Sequence, residues 1–328
     1  MRSAEPLARV VRSGLEESVH LGHVAVCDAS GRLVARVGDP DRTFFVRSCT
    51  KPVQASVSLT AIGPDERVPV RSVAIMCASH NGEPVHVRAV REVLRRGGLT
   101  EEDLRTPPAR PSDPASASRV RASRPVFHNC SGKHAGMLLA SVRRGWPTLT
   151  YRARSHPLQR RVLAAVRELS GIDDVAVGID GCGVPVHAMP LRSIATMYAR
   201  LAAPERQGRL APAVRRSVEA MRAEPYLVGG RNRVDTAIMT ATSDLVAKEG
   251  AEALICAVSL EAGLGVAVKV GDGGYRAAGP AMIQVLEELG LLTSAARRAL
   301  GPWAEPPVLG GGRPVGRLEP VLHLRGRR

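Results

Sequence analysis

The chain has 328 residues, of which 44% are hydrophobic and only 3% aromatic, and its formal net charge is +15. This composition excludes a disordered chain and predicts a globular protein whose core is built from alanine, valine, leucine and isoleucine. No apolar stretch is long enough to cross a membrane and no apolar leader begins the chain, so we expect a cytoplasmic protein without a membrane partner. The arginines are scattered and lack interleaved aromatic residues, which argues against a nucleic-acid partner.

The first part of the chain has strand patterns followed by helical patterns. Residues 20–39 alternate apolar and polar residues around a turn, which predicts a β-hairpin. A helix is predicted from about Ser48, and residues 83–99 form an amphipathic helix that ends at two glycines. Residues 105–125 are rich in proline, serine and arginine, and this composition predicts a long, lid-like loop.

Helical patterns fill the middle of the chain, and strand patterns return near its end. Residues 132–145 and 156–171 are predicted helices. Residues 209–250 predict further helix, with Lys248 on a helix surface. Residues 253–279 have strand character, and one more helix follows them.

This order of elements predicts an α/β (α+β) fold. The N- and C-terminal segments can pair into one antiparallel sheet flanked by helices, while the helical middle forms a second body. We expect a single unit over residues 1–300, with a sheet subdomain at about 10–75 and 250–295 and a helical subdomain at about 76–249. Residues 301–328 are predicted to be an irregular C-terminal tail.

Only four lysines occur among the 46 basic residues, and the first of them stands in a motif with chemical potential. Ser48 precedes Lys51 by three residues, and Pro52 restricts the pair to a first helical turn. Residues at this spacing share one helix face. Lysine can lose its proton when buried and arginine cannot, so the pair predicts a serine nucleophile with a lysine base. The alternative is an ordinary helix start with a surface lysine.

Two further motifs follow along the chain. Ser79 begins a Ser-x-Asn sequence after an apolar segment, and Lys269 begins a Lys-x-Gly sequence at the end of a predicted strand. Penicillin-binding proteins and class A β-lactamases use S-x-x-K, S-x-N and K-x-G in this order. Each motif alone is weak, because Ser-x-Asn is more often a turn. Together they predict an enzyme that transfers acyl groups through serine and lysine.

Glycine-containing blocks surround the third lysine and two cysteines. Lys133 and Cys130 lie in HNCSGKHAGML, and Cys182 lies in GIDGCGVPVHAMPL. Both cysteines could bind a metal as thiolates, although their spacing matches no zinc signature. No C-x-x-C pair occurs, so we expect reduced thiols at all six cysteines. These are Cys27, Cys49, Cys77, Cys130, Cys182 and Cys256.

Five sequence blocks together are similar to one enzyme family. They are RSCTKP, CASHNGE, HNCSGKHAGML, GIDGCGVPVHAMPL and GLGVAVKVGDG. In these blocks the chain resembles the rhizobial-type L-asparaginases over about residues 10–290. The resemblance implies the fold of the serine β-lactamases and penicillin-binding proteins. The cysteine-containing blocks are absent from β-lactamases, so they direct the substrate hypothesis away from β-lactams. The loop at 105–125 and the residues beyond about 300 do not match the family pattern.

The resemblance implies a role for each residue that matches the family motifs. The implied catalytic residues are Ser48, Lys51, Ser79 and Lys269. The implied zinc ligands are Cys130, Lys133 and Cys182. The implied substrate-binding residues are Arg47, His80, His134 and Asp180. Zinc would lie near the substrate and would not be required for the serine–lysine chemistry.

We therefore expect hydrolysis of L-asparagine to L-aspartate and ammonia through a serine acyl-enzyme. One alternative is a glutaminase or a β-lactam-active hydrolase on the same fold. Another is a non-catalytic, zinc-stabilised binding protein. The resemblance also implies a homodimer.

Overall fold

The structure is a computed structural model that describes residues 3–326. Its strands are β1 (Glu5–Arg12), β2 (Leu15–Asp28), β3 (Leu33–Val37), β4 (Thr43–Phe45), β5 (Ala176–Ile179), β6 (Pro185–Pro190), β7 (Leu245–Gly250), β8 (Leu254–Ser259), β9 (Leu264–Val270), β10 (Pro307–Gly310) and β11 (Arg313–Pro320). Its α-helices are α1 (Lys51–Ile62), α2 (Val70–Met76), α3 (Pro84–Arg96), α4 (Pro114–Ala117), α5 (Ser131–Arg143), α6 (Pro157–Ser170), α7 (Leu191–Ala199), α8 (Ala211–Ala223), α9 (Pro225–Val228), α10 (Val234–Ala241), α11 (Tyr275–Glu288), α12 (Ser294–Ala299) and α13 (Gly301–Ala304). Its 3₁₀ turns are Arg47–Thr50, Glu101–Asp103, Pro125–Phe127 and Pro204–Leu210. Within the described residues, no helix is both long and apolar enough to cross a membrane.

One antiparallel sheet combines the two ends of the chain. Its strands follow the order β10-β11-β1-β2-β9-β8-β7, and β3 pairs with β2 beside this path. The strands β2 and β3 form the hairpin predicted at 20–39, with Val24 opposite Val37. The structure therefore confirms a mixed α/β fold whose sheet is built from the N- and C-terminal segments.

The chain divides into two compact units. The sheet unit contains residues up to 49, residues 189–203 and residues from 237 onward, and the helical unit contains 50–188 and 204–236. This division differs from the predicted boundaries at three places, residues 50–75, 189–203 and 237–249. The helix α1 belongs to the helical unit, where it packs against α5, α6 and α8, and α7 belongs to the sheet unit, where it covers β2 and β9. A hydrophobic pattern shows that a helix is buried, but not against which partner.

Two predicted elements near the end of the chain were also wrong. Lys248 does not lie on a helix surface: it is fully buried in strand β7, opposite Cys256 of β8. The tail at 301–328 is not irregular, because β10 and β11 form a hairpin and β11 extends the sheet, with Leu318 opposite Val10. Proline and glycine are tolerated in such peripheral strands and hide their alternating pattern.

The helix α7 approaches the sheet very closely at Gly265 of β9. A Cβ added at this glycine would lie 2.1 Å from the Ala195 carbonyl oxygen and 2.3 Å from the Ala199 backbone nitrogen. No residue with a side chain fits there without moving the helix. Glycine at this position therefore sets the distance between α7 and the sheet.

Candidate active site

The Ser48 motif lies where the chain enters α1. Residues Arg47–Thr50 form a 3₁₀ turn, and α1 begins directly afterwards at Lys51 with Pro52 in its first turn. This geometry confirms the predicted helix start within three residues. Proline is accepted there because the first helical N–H groups have no partner inside the helix.

The backbone before Ser48 is strained and held in place by buried contacts. Arg47 has a φ of 50°, a left-handed conformation that costs a non-glycine residue roughly 1–3 kcal/mol. The Tyr198 hydroxyl donates to the Cys49 carbonyl at 2.9 Å, and the Cys49 thiol donates to the Lys248 carbonyl at 3.1 Å. Strain of this kind is concentrated at functional sites, which agrees with a reactive role for Ser48.

Lys51 is fully buried and its amine contacts Ser79. Its Nζ donates to Ser79 Oγ at 2.8 Å, to the Ala78 carbonyl at 2.6 Å and to the Asn129 carbonyl at 3.5 Å. The sequence motifs assign Lys51 to Ser48 and Ser79 to Lys269, and neither motif predicts this contact. Lysine and serine from separate motifs thus meet inside the helical unit.

Ser79 lies in a loop that is fixed by backbone hydrogen bonds. Its own N–H donates to the Val228 carbonyl at 2.9 Å, and the Asn81 N–H donates to the Gly229 carbonyl at 3.0 Å. The His80 N–H donates to the Asn129 carbonyl at 3.2 Å. These bonds connect the Ser79 loop to the segments before α5 and after α9, and they fix the position of the hydroxyl.

His80 supports this loop from the interior. Its Nδ1 accepts the Gly82 N–H at 3.1 Å, so its Nε2 carries the hydrogen and donates to Ser131 Oγ at 2.9 Å. The ring is fully buried and stacks on His86 with 5.2 Å between centroids. Burial and the neighbouring His86 and Lys51 hold the pKa of His80 well below its ordinary value. Both ring nitrogens are occupied by protein groups, so the structure indicates that His80 positions the Ser79 loop. Substrate contact by this ring stays a prediction.

The long loop at 105–125 is anchored beside Ser79. The Ser112 and Asp113 N–H groups donate to the Asn81 carbonyl at 2.9 and 3.3 Å. The loop contains the short helix α4, which Asp113 caps through the Ser116 N–H. The predicted loop is thus confirmed, with one helical turn inside it, while its lid-like movement stays a prediction.

The predicted zinc residues come together in the helical unit. The sulfurs of Cys130 and Cys182 and a carboxylate oxygen of Asp180 all lie within 4.8 Å of one another. Lys133 Nζ donates to Cys182 Sγ at 3.1 Å, and the Cys182 thiol donates to Asp180 Oδ2 at 3.4 Å. Both cysteines are buried. The three residues predicted from two separate sequence blocks therefore form one cluster, and Asp180 lies beside them.

Electrostatics within this cluster favour a thiolate beside an ammonium group. The side-chain hydrogen bond between Cys130 and Cys182 lowers the pKa of Cys130 well below its ordinary value, although burial opposes this shift. The same bond, followed by burial, raises the pKa of Cys182. Burial lowers the pKa of Lys133, but Cys182, Cys130 and Asp180 outweigh it and leave this pKa raised.

His134 follows Lys133 on α5 and faces Tyr151. Its Nδ1 lies 2.6 Å from the Tyr151 hydroxyl, which also accepts the Arg105 N–H at 3.1 Å. Tyr151 therefore donates to Nδ1, and His134 carries its hydrogen on Nε2. Burial lowers the pKa of His134 to about 4. Its Nε2 is buried and makes no hydrogen bond of ordinary length within residues 3–326, although the Cys182 side chain interacts with the ring. Substrate contact by His134 stays a prediction.

Sequence analysis missed His187 in strand β6. Its ring is 1% exposed, and neither ring nitrogen has a hydrogen-bond partner in the described part of the chain. Burial, followed by Lys133, lowers its pKa to about 4. The sequence signal was the histidine inside the apolar run VPVHAMPL. An imidazole is seldom fully buried in a strand, because burying its polar nitrogens without hydrogen bonds is costly.

Lys269 lies on β9 in the sheet unit and is mostly buried. Its Nζ donates to the Val270 carbonyl at 2.5 Å and lies 5.6 Å from the centre of the Phe44 ring. Burial lowers its pKa, and the opposing effects of Glu252 and Asp272 do not cancel this shift. Among the predicted residues, the sheet unit thus carries Arg47, Ser48 and Lys269. The helical unit carries Lys51, Ser79, His80, Cys130, Lys133, His134, Asp180 and Cys182.

Comparison with models of protein families shows to which family this chain belongs. The model of the family described as L-asparaginase II matches residues 8–320. The chain belongs to the L-asparaginase II family. Membership of this family makes it an amidohydrolase and confirms the resemblance seen in the five sequence blocks. The match reaches 320, so the L-asparaginase II region also includes the loop at 105–125 and the β10–β11 hairpin.

Solved structures show a more distant likeness to this L-asparaginase II family member. Mglu in its native form is 15% identical with a TM-score of 0.47, and the match covers 83% of this chain and 65% of Mglu. This chain therefore spans about two thirds of the length of Mglu. A β-lactamase from Mycobacterium bovis is 15% identical with a TM-score of 0.41, and the match covers 81% of this chain and 94% of the β-lactamase. A search of curated proteins found no match.

Proposed function

We propose that this protein hydrolyses L-asparagine to L-aspartate and ammonia through an acyl-enzyme on Ser48, with Lys51 as the base. The observation that carries the proposal is the buried Lys51 amine, which contacts Ser79 Oγ and follows Ser48 by three residues. A buried lysine can exchange a proton with a hydroxyl, which arginine cannot do. Family membership supports an amide substrate.

In the proposed acylation, Lys51 acts as a neutral amine. It takes the hydroxyl proton of Ser48 while Ser48 Oγ attacks the side-chain amide carbon of asparagine. The C=O π electrons move to the oxygen, and backbone N–H groups at the start of α1 stabilise the oxyanion. The C–N bond then breaks. The proton that Lys51 took from Ser48 passes on through Ser79 and Lys269 to the leaving nitrogen, so ammonia departs and Lys51 is again a neutral amine.

Deacylation reverses these roles. Water attacks the ester carbon of the aspartyl-enzyme and gives one proton to Lys51. The ester C–O bond breaks, Ser48 Oγ takes a proton back and L-aspartate leaves. The lowered pKa of Lys269 supports its part in proton transfer, because burial makes its ammonium group readier to release a proton.

We also propose that zinc binds at Cys130, Cys182 and Lys133, with Asp180 orienting the ligands. Two cysteine sulfurs within 4.8 Å of each other suit zinc, and the favoured thiolate at Cys130 supplies the required anionic ligand. Lys133 must lose its proton to become a ligand, so zinc binding should strengthen as the pH rises. Zinc would supply a positive charge near the substrate, and no serine–lysine step above passes through it.

An ammonia-release assay on L-asparagine tests the reaction, and mass spectrometry of rapidly quenched enzyme tests the intermediate. We expect an aspartyl adduct on Ser48 and no activity in Ser48→Ala. Full activity in Ser48→Ala, together with no adduct, would contradict the proposal. Parallel kcat/KM values for asparagine, glutamine and a chromogenic β-lactam separate the alternative hydrolases.

Two simpler measurements test the remaining parts. Elemental analysis of protein purified without chelators should find zinc, and Cys130 and Cys182 should resist alkylation. Absence of zinc with rapid alkylation of both thiols would reject the metal site. Light scattering in solution should show the homodimer that the resemblance implies, and a monomer at all concentrations would reject it.

A further inference from the structure

A buried histidine of the sheet unit carries a donor that is not used within the described residues. His23 lies on β2 and is 1% exposed. The Asp39 N–H donates to its Nδ1 at 2.9 Å, so the ring carries its hydrogen on Nε2. That Nε2 is buried and has no hydrogen-bond partner among residues 3–326. A buried donor without a partner destabilises the folded protein, so its retention requires an explanation.

The surroundings of His23 are built around two glycines. Gly38 has a φ of 63°, and a Cβ added there would lie 2.6 Å from His23 Nδ1. A Cβ added at Gly22 would lie 2.3 Å from the Lys269 carbonyl oxygen. Both glycines therefore allow close backbone packing, and the ring position of His23 is fixed by this packing.

Three side chains with donors gather around the ring of Phe44. His23 and Lys269 are directly opposite each other on the antiparallel strands β2 and β9, so their side chains share one face of the sheet. The Phe44 ring centre lies 5.6 Å from the His23 ring centre, 5.6 Å from Lys269 Nζ and 5.6 Å from Arg42 Cζ. We call His23, Arg42, Phe44 and Lys269 the Phe44 cluster.

We propose that the Phe44 cluster binds the α-carboxylate of the amino-acid substrate, an inference that rests on the proposed asparagine hydrolysis. A carboxylate only accepts hydrogen bonds, and the polar side chains of this cluster offer N–H donors. The His23 Nε2–H and the Arg42 guanidinium supply hydrogen bonds, and Lys269 supplies a neighbouring positive charge. The bound carboxylate satisfies the buried donor of His23. It also places an amino-acid amide, rather than a simple amide, beside a catalytic lysine.

Two substitutions at His23 separate its donor from its acceptor. His23→Asn keeps an oxygen near the Nδ1 position for the Asp39 N–H and removes the Nε2 donor. His23→Gln extends an amide N–H towards the Nε2 position. The matched substrates are L-asparagine and 3-aminopropanamide, which has the same side-chain amide and amine but no α-carboxylate.

We expect His23→Asn to lower kcat/KM for asparagine roughly 10–100-fold more than for 3-aminopropanamide, mainly through KM, as loss of a hydrogen bond to a charged group predicts. The kcat/KM of His23→Gln for asparagine should fall less than that of His23→Asn. The matched control is His20→Asn in the same strand, since both ring nitrogens of His20 are already bonded, to Asp272 and Arg276. Any loss in that control should be equal for the two substrates. Equal losses in His23→Asn would overturn the proposal, because they would show a structural role only.

Calorimetric titration with succinate tests the subsite without catalysis, and it decides the question if 3-aminopropanamide is not turned over. Wild-type protein should bind succinate, and His23→Asn should bind it at least about tenfold more weakly. If asparagine is not hydrolysed but this dependence on His23 is found, the proposed function fails and the subsite stands. If asparagine is hydrolysed while succinate does not bind, or binds independently of His23, the subsite is wrong.

Discussion

At the scale of single residues, Lys51 shows why an arginine-rich chain keeps a lysine. Its amine is fully buried among two carbonyl oxygens and Ser79 Oγ. An ammonium group is a compact charge with three donors, whereas a guanidinium carries five donors in a planar fork. Loss of one proton leaves a lone pair on the amine, which can then take a proton from a serine hydroxyl. Arginine cannot reach that state.

Lys51→Arg tests this difference directly. We expect kcat for asparagine to fall by about 10²–10⁴-fold, the usual contribution of a positioned general base. The kcat of Lys51→Met, which keeps an aliphatic side chain and removes the amine, should fall as far as that of Lys51→Arg. Steady-state ammonia release measures both variants, and thermal unfolding shows whether they are folded. If folded Lys51→Arg protein keeps activity within about tenfold of wild type, proton transfer at this position is not needed.

The charge of Lys269 sets a second residue-scale prediction, on pH. In the proposed mechanism Lys269 delivers a proton, so activity is present below its pKa and is lost as the pH rises through it. Burial lowers this pKa, which places the alkaline limb of the kcat profile below the ordinary range of a lysine. Glu252 opposes the shift. Glu252→Gln removes that opposition, so the limb should move to lower pH.

A kcat–pH profile of Glu252→Gln at low ionic strength measures this movement, since salt screens an exposed carboxylate. The matched control is Glu261→Gln, an exposed carboxylate of the same unit that does not perturb Lys269. Its limb should coincide with that of wild type. Movement of the Glu252→Gln limb to higher pH would show that Lys269 does not control it.

At the scale of elements, α7 links the sheet to the Ser48 turn. The helix lies on β2 and β9, and its Tyr198 hydroxyl donates to the Cys49 carbonyl next to Ser48. Gly265 sets the distance between α7 and β9, because an added Cβ would overlap the helix backbone. The sheet therefore holds the Ser48 turn through α7 and through the Cys49 thiol, which donates to the Lys248 carbonyl of β7.

Gly265→Ala should destabilise the protein by about 1–3 kcal/mol, the cost of overpacking a well-packed interior. Chemical denaturation followed by circular dichroism measures this change. Gly301→Ala is the matched control, because no atom lies within 4 Å of its added Cβ and its backbone has no positive φ. The control should unfold like wild type. Wild-type stability in Gly265→Ala would show that α7 can move away freely.

Local sequence patterns predicted those elements whose signals are local. The start of α1 followed from Pro52, and the end of α3 from Gly97 and Gly98. Strand β7 was mistaken for helix because its run of six buried residues has no alternation, a pattern shared by buried strands and buried helices. The contact of Lys51 with Ser79 was not predictable from spacing, since it depends on how α1 packs beside the Ser79 loop. The unpaired donor of His23 became visible only from the structure.

At the scale of the whole molecule, the net charge of the chain is +15, and several of its carboxylates each contact two arginines. Glu66 contacts both Arg96 and Arg143, and Glu101 contacts both Arg91 and Arg124. Such surface pairs are individually weak, and salt screens them further.

The same charge predicts how salt should act on substrate and product. L-asparagine is a zwitterion without net charge, so the long-range field of the protein barely changes its rate of association. Between about 0.05 and 0.5 M NaCl, kcat/KM for asparagine should therefore change less than about twofold. L-aspartate has a net negative charge, so its competitive inhibition should weaken over the same range. Initial rates with and without aspartate measure both effects. A steep fall of kcat/KM for asparagine itself would show that the positive field, rather than local contacts, brings the substrate to the protein.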